Sequence, residues 1–371
     1  MPAKPSATRI AKQKAGSSPY HSLVRHLLSA RTFNRIPMFV LGSGISRGIV
    51  PLLSEMAWWF QDRLRTEDLP SDYLWVRQHA EAINTNKASR REAAEFFSAI
   101  QGPALKHVWA DFSKGLLRDG LQLADRKFSG LYGTDVHPSP AHFHLADLLR
   151  SKEAYVISLN FDGLTHRALT TNQRTGLVLH STSEISNYFT APTTAFSPAV
   201  IKVRGDVFYA KCRNSACSLS QTPYPLDRLS RGADNSICCP SCRDSELQLQ
   251  FQFPGYREKE EAAYPMLWAA RKYLGSRVSA IVVIGLSGRW DRYMLQFMFD
   301  FAKERSMVIA DVKPSGDAEN LIDDFRSQYY PSVPHLDGQS PVAASYVRIE
   351  MSADEFLGKI HEELGYTKPT T

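Results

Sequence analysis

The sequence predicts an α/β protein built on a Rossmann-like parallel sheet with helices on both faces, plus a helical insertion and a small cysteine-bearing insertion. Three observations predict it. Short apolar runs that end in Gly, Asn or Asp alternate with amphipathic stretches, as in βα units whose strands are covered on both faces. All five cysteines of the 371-residue chain fall between Cys212 and Cys242. The stretch from Leu52 to about Phe128 reads as helical and separates the first two strands.

Composition sets the outer limits. A hydrophobic content of 43% and a charged fraction of 22% suit a chain with a sizeable core rather than bulk disorder. The net charge of +6 suits anionic ligands without specifying nucleic acid. The first acidic residue is Glu55, preceded by Lys4, Arg9, Lys12, Lys14, Arg25, Arg31, Arg35 and Arg47. Residues 1–18 are therefore expected to be a disordered basic tail, although an acid-free start also suits a transit peptide. Such a tail would touch nucleic acid only nonspecifically and in a salt-dependent way, so no specific nucleic-acid partner is expected. No apolar run reaches the roughly 20 residues of a membrane span, and a cytoplasmic protein is expected.

The elements follow in order. Leu23, Val24, Leu27 and Leu28 have helical spacing. Pro37–Leu41 is an apolar run that meets the loop Gly42-Ser43-Gly44-Ile45-Ser46-Arg47-Gly48. After the helical stretch, residues 52–136 in all, Ala141–Arg150 reads as a helix. Ala154–Ser158 is the second strand, closing on Leu159-Asn160-Phe161-Asp162, with a helix beginning at Asp162. Residues 171–199 look irregular around one apolar stretch, Leu177–Leu179. Ala199–Val203 is the third strand and precedes Arg204-Gly205-Asp206. Leu247–Phe253 alternates like a half-buried strand. Tyr264–Leu274, the strand Ala280–Gly285, the helix Met294–Lys303, the strand Met307–Asp311, the strand Ser345–Ile349 and the helix Ala353–Leu364 complete the chain. The main body is thus expected over 19–371. In such sheets ligands bind at the carboxyl ends of the strands, where the glycine loop, Asn160, Arg204, Gly285 and Asp311 all fall.

Each constellation has a chemical reading and a plainer one. Gly42-x-Gly44 after a strand permits close approach of a pyrophosphate, but the third glycine of the dinucleotide pattern is missing, and a tight turn is the alternative. Asn160 suits a ribose hydroxyl or a water. Asp162 suits an orienting carboxylate, or equally a helix cap. Gly285-Leu-Ser287 is a second strand-to-turn junction suited to phosphate or ribose, and Asp311 suits a ribose hydroxyl, or is a solvated strand-end carboxylate. Cys212-x₄-Cys217 and Cys239-Pro-Ser-Cys242 have the spacing of a zinc ribbon over residues 207–254. Cys238 competes with Cys239, and the C-x₂-C knuckle favours Cys239. Four thiolates leave no open position on the ion, so the zinc would be structural.

Taken in order from about residue 37 to 364, these segments resemble the sirtuin family. The family's Gly-Ala-Gly-Ile-Ser is similar to Gly42–Ser46, its Pro-x-x-x-His to Pro138–His142, and its Gln-Asn-x-Asp to Leu159–Asp162. Its Leu-His-Gly is similar to Val203-Arg204-Gly205, its Cys-Pro-x-Cys to Cys239–Cys242, and its Gly-Thr-Ser to Gly285–Ser287. The resemblance implies NAD⁺ across the sheet's carboxyl edge. Gly42, Ser43, Gly44 and Ser287 would sit near phosphates or ribose, and Asn160 and Asp162 near the nicotinamide end; Ser46, Gly285 and Asp311 are the further candidates for cofactor binding.

The departures shape the functional expectation. Arg204 stands at the family's catalytic histidine, and arginine cannot act as a general base because it stays protonated and has no acceptor. Gly48-Ile-Val-Pro51 replaces the family's Asp-Phe-Arg. The long gap from Asp162 to Arg204 is similar to sirtuin-like NAD⁺ hydrolases of antiphage defence, which usually lack a cysteine module. The resemblance thus implies an NAD⁺ hydrolase using Asn160, Asp162 and Arg204, with a protein partner expected in a defence or signalling complex. A catalytically silent NAD⁺ or ADP-ribose binder is the alternative. A deacylase with His166 or His180 as relocated base is the third reading.

Overall fold

The computed structural model describes residues 18–85, 87–132, 135–191, 197–220, 224–225, 239–243, 247–251, 264–287, 291–317, 320–329 and 345–364. The expected tail lies outside them except for Ser18, whose hydroxyl accepts from His21 N–H to cap the first helix. Cys238 also lies outside.

Helix α1 (Pro19–Arg31) leads into β1 (Ile36–Leu41). Four helices follow, α2 (Leu53–Arg65), α3 (Trp75–Asn84), α4 (Arg90–Ile100) and α5 (Lys106–Lys114), and then a hairpin of β2 (Leu121–Leu123) and β3 (Arg126–Phe128). The middle of the chain supplies α6 (Pro140–Arg150), β4 (Tyr155–Ser158), α7 (Leu164–Thr170), β5 (Leu177–Leu179), α8 (Thr182–Thr190) and β6 (Ala199–Lys202). Strands β7 (Gly205–Cys212), β8 (Tyr224–Pro225) and β9 (Leu247–Phe251) pair as a small antiparallel sheet in the order β8-β7-β9. The last part alternates strictly: α9 (Tyr264–Leu274), β10 (Val278–Ile284), α10 (Arg292–Arg305), β11 (Val308–Lys313), α11 (Leu321–Tyr329), β12 (Ser345–Glu350) and α12 (Ala353–Glu363).

The main sheet has seven parallel strands in the order β12-β11-β10-β1-β4-β6-β5. The alternation of side chains along each strand explains its two covers. Met38 and Val40 pack with Met294, Met298 and Phe301 of α10 on one face. Phe39 and Leu41 pack with Leu23 of α1, Leu145 of α6 and Phe356 of α12 on the other. Strands buried on both faces read as continuous apolar runs, which is why β1, β4 and β10 were visible in the sequence. The helices between β1 and β4 have their own aromatic core, with the Phe60 and Phe112 rings 4.5 Å apart. That core also takes in Leu164 and Val207, so it rests against the start of α7 and β7.

Two local features differ from expectation. Residues 121–128 form a hairpin rather than the end of a helix, with Ala124 at φ +50° in its turn. Within the supposedly irregular 171–199, α8 forms because Ser181 caps it by accepting from Glu184 N–H, while Glu184 accepts from His180 N–H. Among the described residues, no helix is long and apolar enough to cross a membrane.

Candidate active site

The sheet reverses direction of growth at β1, since β4 lies on one side of it and β10 on the other. A crevice opens beyond the carboxyl ends of strands at such a switch point. Register makes this concrete: Leu41 pairs with Ser158 and with Ile284, and Ser158 with Lys202. The residues that follow each strand, Gly42, Leu159, Val203 and Gly285, therefore emerge side by side.

At that edge the first glycine loop crosses the β10 loop backbone on backbone. Gly42 N–H donates to Ile284 O and Gly44 N–H to Gly285 O, both at 2.9 Å. A Cβ on Gly44 would lie 2.5 Å from Gly285 Cα, and Gly285 itself has φ +65°. Three glycines are thus required by contact between loops, whatever ligand they serve.

The crossing floors a cleft that is partly open to solvent. Seven of the expected residues line it: Gly42, Ser43, Ser46, Asn160, Asp162, Arg204 and Ser287. Gly44 and Gly285 form the crossing. Asp311 is not brought in. It lies inside β11 rather than at its end, fully buried, and its carboxylate accepts from Tyr346 O–H at 2.7 Å. Burial holds that carboxyl above its ordinary range.

The polar wall is a hydrogen-bond chain with a defined direction. Ser139 N–H donates to His142 Nδ1 at 3.1 Å, so the neutral ring carries its proton on Nε2. Burial, the largest influence, lowers the His142 pKa and keeps the ring neutral. Nε2 faces Ser46 Oγ at 3.3 Å, Asn160 Nδ2 donates to the same Oγ at 3.4 Å, and Ser46 O–H donates to Asp162 Oδ2 at 3.0 Å. Asp162 Oδ1 accepts from Leu164 N–H at 3.0 Å, although the N-cap of α7 is Gly163 and not Asp162. With its amide nitrogen committed to Ser46, Asn160 presents Oδ1, which is buried and has no hydrogen-bond partner among the described residues. His142, fully buried in α6, orders this wall from behind. Its place in Pro138–His142 was the sequence signal for it.

The opposite wall holds an ion pair. Arg204 donates to Asp291 Oδ2 through Nη2 at 2.7 Å and Nε at 3.2 Å, and the two side chains are only 4% and 8% exposed. Asp291 Oδ1 also accepts from Met294 N–H, capping α10. Arg204 thus reaches the cleft as half of a neutral pair. Asp291 was missed because a capping aspartate looks alike in sequence whether or not an arginine reaches it. Val50, Pro51 and Leu53 supply an apolar side.

The two histidines weighed as relocated bases do not line the cleft. Burial, aided by Lys202, Lys211 and His166, takes His180 down to a pKa of about 3, and its ring packs on Tyr209 at 4.4 Å. His166 Nε2 is engaged with Gly176 O at 3.3 Å.

Cys212, Cys217, Cys239 and Cys242 converge at the far end of β7, their sulfurs all within 4.8 Å of one another. The Cys212–Cys242 and Cys217–Cys239 pairs are each 3.6 Å apart. Four thiolates around a tetrahedral zinc at about 2.3 Å would have sulfurs about 3.8 Å apart. The donor set therefore fits zinc, which would crosslink β7 to the 239–242 knuckle and take no part in the cleft.

No protein-family model and no curated protein matches the chain. Among solved structures it is similar to a mutant of a Sir2 homologue in complex with ADP-ribose, with a TM-score of 0.50 and 15% identity over 92% of this chain and 95% of that one. It is also similar to a Sir2 structure with a p53 peptide and NAD⁺, with a TM-score of 0.44 and 16% identity over 93% and 98%. At such identity the likeness concerns architecture, and the seven-stranded sheet with its glycine-loop switch point is the Sir2 fold.

Proposed function

We propose that the cleft binds NAD⁺ and cleaves its nicotinamide–ribose bond with water as the acceptor. The observation that carries this reading is Asn160 Oδ1, a buried acceptor without a hydrogen-bond partner among the described residues, held by Ser46 and His142 beside the Asp162 carboxylate. An acceptor so placed suits a ribose hydroxyl or a water. Hydrolysis asks less of a base than acyl transfer, because the ribose carbon becomes electrophilic as nicotinamide leaves. The Arg204–Asp291 pair, standing where the resemblance places a histidine base, argues against acyl transfer, as does the buried, non-basic His180. In this reading residues 52–136 form a helical insertion walling the cleft and 207–254 a zinc-held module.

The test is nicotinamide release from NAD⁺ by the purified chain, with and without an acetylated peptide. Release without peptide, lost in Asn160→Ala, is the expected result. Full release by Asn160→Ala would remove Asn160 from the mechanism, and release only with peptide would make the chain a deacylase. Tight NAD⁺ binding without turnover is the second reading, favoured by the absence of a histidine at 204.

A further inference from the structure

Lys202 ends β6, directly beside Ser158 on the neighbouring strand, and is 3% exposed. An ammonium ion withdrawn from water is strongly unfavourable unless it is paired and hydrogen-bonded. Lys202 Nζ meets both conditions. It donates to the backbone carbonyls of Asn160 and Asp162 and lies 3.4 Å from Asp206 Oδ2. Asp206 is fully buried, and its other oxygen accepts from Phe208 N–H at 2.9 Å.

The pattern along the turn after β4 is regular. Ser158 O accepts from Val203 N–H at 3.1 Å and Phe161 O from Val207 N–H at 2.8 Å. The carbonyls of Asn160 and Asp162 converge instead on the one ammonium. These two residues carry the side chains that face the cleft, whereas Lys202 does not line it. We infer that Lys202 is a positioning residue of the cleft: its buried charge, balanced by Asp206, holds the Asn160 and Asp162 peptides so that their side chains meet the ligand. The consequence for turnover rests on the NAD⁺ reading above. The positioning of the turn does not.

Lys202→Met alone strands the Asp206 carboxylate and confounds positioning with folding. Lys202→Met/Asp206→Asn removes both buried charges and keeps an acceptor for Phe208 N–H. Two readouts are needed, amide hydrogen exchange over 159–164 and steady-state nicotinamide release. Expected are exchange raised in that segment with the sheet unchanged, and a kcat lowered about 100-fold by misplacement on the ångström scale, with KM for NAD⁺ within about threefold of the parent's. Wild-type exchange over 159–164, recovery of full turnover, or a uniform rise in exchange across the sheet would each overturn the inference. If the unmodified chain releases no nicotinamide, the NAD⁺ reading fails, and the exchange measurement alone still decides the role of Lys202.

Discussion

Replacing Asp291 by Asn should destabilise the fold far more than a single surface charge would. The structure supplies the reason. Arg204 and Asp291 are 4% and 8% exposed and joined by two hydrogen bonds at 2.7 and 3.2 Å. An amide at 291 can still cap Met294 N–H but takes the Asp291 counter-charge away from a buried guanidinium, at about 3–5 kcal/mol. Asp291→Ala loses the cap as well, adding about 1 kcal/mol. Arg204→Met/Asp291→Leu removes both charges and should recover much of the loss, because apolar replacement of a whole buried pair is often neutral. Urea unfolding followed by tryptophan fluorescence measures all three. A loss below about 1 kcal/mol for Asp291→Asn would mean that water reaches the pair as at a surface, and would refute the picture of a neutral wall.

Further outcomes follow from the same geometry. Gly44→Ala should destabilise by about 1–3 kcal/mol by overpacking, since its Cβ would meet Gly285 Cα at 2.5 Å; wild-type unfolding and wild-type NAD⁺ affinity together would disprove the tight crossing. Metal analysis should find one zinc per chain, and its chelation should unfold the module around β7 with an effect on the order of 10 kcal/mol; full retention of zinc by Cys217→Ser would argue against the four-thiolate site. His180 has its pKa lowered from 6.5 to about 3 by burial, so the unfolded chain takes up the proton first. Stability is then complete above pH 6.5 and falls as pH drops towards 3, by up to about 1.4 kcal/mol per pH unit. His180→Gln should flatten that limb, and an unchanged slope of stability against pH would count against a neutral buried ring.

The fold was legible because parallel strands buried on both faces leave long apolar runs, and β1, β4, β6, β10 and β11 all have them. Helix α8 and the β2–β3 hairpin were harder to read. Their apolar faces are short, and the signals present, Ser181 with Glu184 and the turn at Ala124, are local rather than periodic. At the site, Gly42, Ser46, Asn160, Asp162 and Ser287 were legible because each follows or ends a strand, and strand ends meet at the switch point. Asp311 looked equivalent until the strand proved to continue to Lys313, which turned an apparent strand-end carboxylate into an interior one.

The sequence by itself determined the strand–helix alternation, the edge at which a ligand would enter, and the residue types gathered there, because apolar periodicity and strand-terminal glycines are properties of neighbours in the chain. It also determined that four thiols could share one ion. Only the tertiary structure decided what the charged groups do. Arg204 is matched by a carboxylate 87 residues away, Lys202 is spent on two carbonyls, and Asn160 shows its oxygen because a histidine in another helix sets the direction of the chain of hydrogen bonds. Electrostatic partners are chosen by distance in space, and in a parallel sheet that distance bears no relation to separation along the chain.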